Sequence, residues 1–162
     1  VSVEDKYTDA DLEAGKLGSA LFTAGQQVTI ARALITVDAA DDDDSVFRAF
    51  KDIPSSLVPL KMSIKNSANA GSTDWDVGIY KTDKGAVISK DLLANGLSMA
   101  GARAIDTENN LGLNDVALAD GTKDLSELSG QSEPDSSYDI AFTANTIGGA
   151  GTILVTLLLA YK

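Results

Sequence analysis

The sequence predicts an all-β fold: an antiparallel β-sandwich, jelly-roll-like, of about eight strands with an extended N-terminal arm. Three observations carry that expectation. Short runs of alternating or β-branched residues recur along the chain between polar clusters of Gly, Pro, Asn, Asp and Ser, the pattern of strands joined by turns. No stretch sustains the 3.6-residue apolar period of a core helix. Aromatic residues make up only 6% of the chain, so Val, Ile, Leu and Ala must fill the core, as they do between stacked sheets.

Length and charge narrow the possibilities further. A chain of 162 residues that is 44% hydrophobic suits one domain whose core needs no disulfide or metal. We divide it into an arm over residues 1–25 and a single sandwich domain over residues 26–162. Twenty-four acidic residues against thirteen basic ones give a net charge of -11. That balance opposes nucleic acid as a partner, because phosphate contacts need a local excess of Lys and Arg. It equally disfavours an anionic membrane, and no apolar run is long enough to span one. The chain has neither cysteine nor histidine, which removes thiol nucleophiles, most zinc sites and the commonest general base at neutral pH.

Taken in order, residues 1–25 are polar and small, with a few apolar groups as potential anchors: Leu17, Leu21 and Phe22. Such a segment is either a poorly ordered terminus or a strap that orders on a neighbouring subunit. Gln26 to Val37 is rich in β-branched residues and reads as a strand, with a bulge near Arg32 or Ala33 where the apolar phase wanders. The run Asp41 to Asp44 forms an exposed loop by mutual repulsion unless cations collect there. Consecutive carboxylates are poorly spaced to wrap one calcium ion.

Val46 to Lys51 is a further strand, and Pro54 and Pro59 bracket a linker. Leu60, Met62 and Ile64 then alternate with Lys61, Ser63 and Lys65, the clearest period-two run in the chain. From Asp74 to Ile88 we expect a half-buried hairpin, Val77 and Ile79 facing one way and Asp76, Gly78 and Tyr80 the other, with residues 81–85 as the turn. Trp75 suits a core or rim position better than a ligand platform. Gly78 marks either a bulge or a close approach of another backbone.

Asp91 to Ala94 could make a helical turn ended by Gly96, followed by irregular chain and a strand. The acidic stretch from Asp106 to Asp115 resembles a calcium loop but lacks the glutamate at its twelfth position, where Ala117 stands. Lys123 to Leu128 suits one helical turn, with Ser126 and Glu127 outward. Tyr138 to Asn145 alternates as a second half-buried strand. Residues 148–151, rich in glycine, lack the Lys and Ser or Thr of a phosphate loop and read as a hairpin turn. The last strand, Thr152 to Tyr161, is apolar on both faces, so either a folded segment or a subunit interface must cover its second face. Leu154 and Leu158 are the candidate interface residues there, with burial of each worth about 1.5 to 3 kcal/mol.

The strand "LVPLKMSIKNSA", the pattern D-x-D-x-G-x-Y at Asp74, Asp76, Gly78 and Tyr80, the following Gly85-Ala86-Val87 and the small residues from Asp91 to Ala104 together carry a family resemblance. Over Phe47 to Ile105 the chain resembles the small jelly-roll proteins encoded beside the major capsid protein in tailed bacteriophages, which act as head decoration or cement proteins. The resemblance implies a structural virion protein on the capsid surface, assembled in the host cytoplasm. Its partners would be the major capsid protein and further copies of itself, with no small-molecule substrate, no cofactor and no enzymatic activity. The alternative is a carbohydrate- or calcium-dependent adhesion module, although such modules present more aromatic platforms than this chain offers. A two-carboxylate glycosidase is a third possibility, but nothing in the sequence selects a pair of carboxylates.

Overall fold

The computed structural model describes residues 3–7, 28–103 and 113–162. Eight strands are present among them: β1 (Asp5–Tyr7), β2 (Val28–Val37), β3 (Ser45–Pro54), β4 (Leu57–Asn66), β5 (Trp75–Tyr80), β6 (Val87–Leu97), β7 (Ser137–Ala144) and β8 (Gly151–Tyr161). They form two sheets, one of five strands in the order β1-β3-β7-β5-β6 and one of three in the order β2-β8-β4. The pairings are antiparallel except β1 with β3, which is parallel. Passing from β2 to β3, β3 to β4, β4 to β5 and β7 to β8, the chain changes sheet each time. This back-and-forth winding is that of a jelly roll. Beyond β4 a single bridge between Asn66 and Arg103 takes the place of a fourth strand in the smaller sheet.

The core lies between the sheets. Ala31, Ala33, Ile35 and Val37 of β2, Met62 and Ile64 of β4, and Ile153, Val155, Leu157 and Leu159 of β8 face Phe47, Phe50, Trp75, Val77, Ile79, Ile140 and Phe142 of the larger sheet. Trp75 is fully buried and stacks on Phe47 with ring centroids 5.4 Å apart, so it fills the core as expected.

Several local expectations change. β2 pairs with β8 in unbroken register from Val28 opposite Ala160 to Val37 opposite Gly151, so there is no bulge near Arg32. The apolar phase wanders because the outward face of β2 also carries Val28, Ile30 and Leu34. The irregularity lies in β4 instead, between Pro59 and Lys61. It turns Leu60 outward to 47% exposure, while Met62 and Ile64 keep the inward phase.

The β5–β6 hairpin forms, yet β5 is buried at all six positions because it runs between β7 and β6 and both its faces are covered. Asp91 to Ala94 belongs to strand β6 and not to a helical turn. The pairing jumps from Ile79 opposite Ser89 to Val77 opposite Ala94, and the extra residues carry the β6 backbone across Gly78. A Cβ on Gly78 would lie 1.9 Å from the Ser89 carbonyl oxygen. Of the two readings of this glycine, close backbone approach is the one realised.

Residues 145–150 do not turn a hairpin, since β7 and β8 lie in different sheets. They cross between layers and pass the loop after β4 so closely that a Cβ on Gly148 would lie 1.6 Å from the Ala70 carbonyl oxygen. The tetra-aspartate crossing is partly exposed, as expected, but tied down: Asp41 is buried and accepts the Asp38 N–H at 2.7 Å, and Asp43 accepts the Ile147 N–H at 2.8 Å. Leu125–Leu128 forms α1, the one helical turn expected there. Asp124 and Glu127 cap it reciprocally, each side chain accepting the other's backbone N–H.

Asp5–Tyr7 pairs with Val46 to Arg48, so part of the arm belongs to the larger sheet. The expected arm boundary at residue 25, the anchors Leu17, Leu21 and Phe22, and most of the calcium-like stretch fall outside the described residues.

Candidate functional site

Strand register decides which side chains of the smaller sheet point away from the core, because directly paired residues share a face. β8 is the central strand, and its outward residues Leu154, Thr156, Leu158 and Ala160 each sit between one outward residue of β2 and one of β4. Four rows result: Val28, Ala160 and Val58; Ile30, Leu158 and Lys61; Arg32, Thr156 and Ser63; Leu34, Leu154 and Lys65. Leu34 is 49% exposed, while Val28, Ile30, Leu154 and Leu158 are half-buried. The two interface candidates on β8 thus lie side by side along one outward stripe, flanked by further apolar groups.

The charge of this sheet is opposite to that of the molecule. β2, β4 and β8 contain Arg32, Lys61 and Lys65 and no Asp or Glu, in a chain whose acidic residues outnumber its basic ones by 24 to 13. All three cations point outward. The Arg32 Nε donates to Thr156 Oγ1 at 3.3 Å, which lays the guanidinium along the central row.

At one end of the face, Leu34, Leu154 and Thr152 floor a cleft of about 340 Å³, walled by Lys65, Asn66, Ser67, Ala102 and Arg103. Arg103 is fixed there by donating from Nη1 to Asn66 Oδ1 and from Nη2 to the Ser98 carbonyl, both at 2.7 Å. Burial lowers its pKa below the ordinary arginine value, but the group stays cationic at neutral pH. Sequence reasoning singled out Leu154 and Leu158 as interface candidates but not the surrounding cations. The available signal was the absence of any carboxylate from three strand-length runs of so acidic a chain.

The outward face of the larger sheet is built differently. Arg48 is fully buried there and donates from Nε and Nη2 to Asp5 at 2.7 and 3.1 Å, from Nη1 to Asp139 at 3.0 Å, and to the carbonyls of Lys81 and Gly85 at 2.8 Å. Its guanidinium lies 5.2 Å from the centre of the Tyr80 ring. Burial alone would lower the Arg48 pKa, but the bonds and charges of Asp5 and Asp139 outweigh it and raise it.

The D-x-D-x-G-x-Y residues serve this architecture. Asp76 accepts the Gly96 N–H at 3.1 Å and the Asn145 side-chain amide at 2.8 Å, Gly78 admits β6, and the Tyr80 hydroxyl bonds Thr143. Burial foremost raises the Tyr80 pKa, which keeps its phenol protonated. Donors and acceptors here satisfy one another, so the cluster ties strands and the hairpin turn together. Among the described residues no three Asp or Glu side chains come together as a metal site.

No protein-family model and no curated protein sequence matches the chain. Two solved structures share its fold over nearly the whole length. A chain in the capsid of Ralstonia phage GP4 superposes with a TM-score of 0.60 at 15% identity, covering 97% of this chain and 99% of that one. A chain in the capsid asymmetric unit of cyanophage Pam1 does so with a TM-score of 0.51 at 11% identity, covering 91% and 94% respectively. At such identities the likeness is one of fold.

Proposed function

We propose that this protein is a structural component of a tailed-phage virion, a decoration or cement subunit held on the capsid surface by protein contacts. The observation that carries the reading is the fold likeness to chains of two phage capsids, end to end in both partners. Supporting it, the outward stripe containing Leu154 and Leu158 is an extended surface suited to another protein. A stable contact of standard size covers about 800 Å² on each partner; three strands about ten residues long give a flat face of roughly 500 Å², so the cleft and the loops beside the sheet complete the contact. The major capsid protein is the expected partner, and self-association into a homo-oligomer on the shell accompanies it.

In this reading the protein does no chemistry. It bridges neighbouring shell subunits, and the surface carboxylates keep finished particles apart in solution. The test is direct: shells assembled without this protein are mixed with the purified chain, pelleted and heated. Co-sedimentation and a higher disruption temperature are expected. Shells that neither retain the protein nor gain stability would refute the assignment.

A further inference from the structure

We infer that the outward face of the smaller sheet, with the cleft at its end, docks onto a neighbouring shell subunit through an apolar patch flanked by carboxylates. This rests on the capsid reading above and adds to it which face binds and what chemistry binds it. Three features converge on one surface. Leu34, Leu154, Leu158 and Ile30 form an apolar stripe that stays partly exposed. Arg32, Lys61 and Lys65 border it, and no described carboxylate pairs with any of them. The cleft adds Arg103, already oriented by Asn66 and Ser98, above a floor of Leu34 and Leu154.

An apolar residue seated in that cleft would leave a neighbouring carboxylate within reach of both Lys65 and Arg103. The same charges argue against a second copy packed face to face, since the two-fold operation would set each copy's cations against the other's. Opposite charge across the contact would steer association and fix orientation, while the leucines would supply most of the affinity.

The experiment compares three proteins on shells that lack this chain: the unaltered protein, the triple variant Arg32→Glu/Lys61→Glu/Lys65→Glu, and a control with the same charge change elsewhere, Lys51→Glu/Lys81→Glu/Lys84→Glu. Unaltered protein should bind more weakly as salt rises. The face variant should bind at least about 100-fold more weakly, and the control within about threefold of unaltered protein. In parallel, acylation of Lys61 and Lys65 is compared in free and shell-bound unaltered protein, a readout that does not depend on the variants folding. Both lysines should react when free and be protected when bound.

Equal binding by the face variant, or lysines equally reactive in both states, would overturn the inference and leave the capsid reading standing. Lysines already unreactive in the free protein would mean the chain covers its own face, and self-association abolished by the triple reversal would mean a second copy does; either would overturn it. Unaltered protein that fails to bind shells refutes the capsid reading itself, and the docking face falls with it.

Discussion

Arg48 illustrates how much one side chain can hold. It is buried without exposure, yet it joins β1 through Asp5, β7 through Asp139 and the hairpin turn through two carbonyls. Its replacement strips the buried Asp139 carboxylate of the guanidinium bonded to it, so Arg48→Ala should destabilise the fold by about 3–5 kcal/mol, read as a lower midpoint in urea unfolding. A loss under about 1 kcal/mol would show that the network contributes little.

Asp52 makes the opposite case. Its backbone sits at φ +52 in the left-handed region, and burial foremost, then the charge of Asp139, raises its pKa. The folded state therefore binds this proton more tightly than the unfolded chain does. Stability falls as pH rises from the ordinary aspartate range through the raised value, and the penalty is complete above it. Asp52→Asn, which tolerates that backbone and carries no charge, should raise the melting temperature at pH 7. The gain should shrink to nothing below the normal aspartate range; a gain independent of pH would assign it to the backbone alone.

Among the elements, β8 separates two kinds of leucine one residue apart. Leu157 is fully buried between the sheets and Leu158 half-buried on the open side. Leu157→Ala should cost about 2–5 kcal/mol in the isolated protein, whereas Leu158→Ala should cost about 1 kcal/mol or less. Chemical denaturation of both variants measures this, and similar losses would mean that the outward face is packed after all.

A continuous apolar run marked β8, and the period-two signal made β7 and the inward phase of β4 legible. It misled where other forces rule. β2 carries apolar groups on both faces because the outward one is also a contact surface in our reading, and that mimicked a bulge. Asp91 to Ala94 and residues 148–151 look locally like a helical turn and a hairpin, but sheet pairing and the crossing between layers decide their conformation. Arg48 reads in the sequence as an ordinary strand charge, since its partners Asp5 and Asp139 come from both ends of the chain.

For the molecule as a whole, charge is partitioned between the layers. The smaller sheet has only cations, while carboxylates occur in the larger sheet and in the crossings at Asp38, Asp41 to Asp44 and Asp74. The net charge then opposes association of free copies at neutral pH. As pH falls toward the isoelectric point near 4.2, that repulsion fades and self-association should rise, seen as increased light scattering. Arg32, Lys61 and Lys65 stay charged through this range and still oppose face-to-face packing of the smaller sheet, so Leu154→Lys/Leu158→Lys should leave the rise in scattering largely unchanged; its loss would mean that a second copy covers the outward stripe.

The two contacts of main chain against main chain bear on how such a protein diverges. A chain only 15% identical takes the same fold, and hydrophobic cores in general tolerate the exchange of one apolar group for another of like volume. Gly78 and Gly148 have no such latitude, because any side chain would run into the carbonyl of Ser89 or of Ala70. In descendants that keep these crossings, both glycines should outlast the leucines around them, and a homology search anchored on that pair should reach further than one weighted on the core.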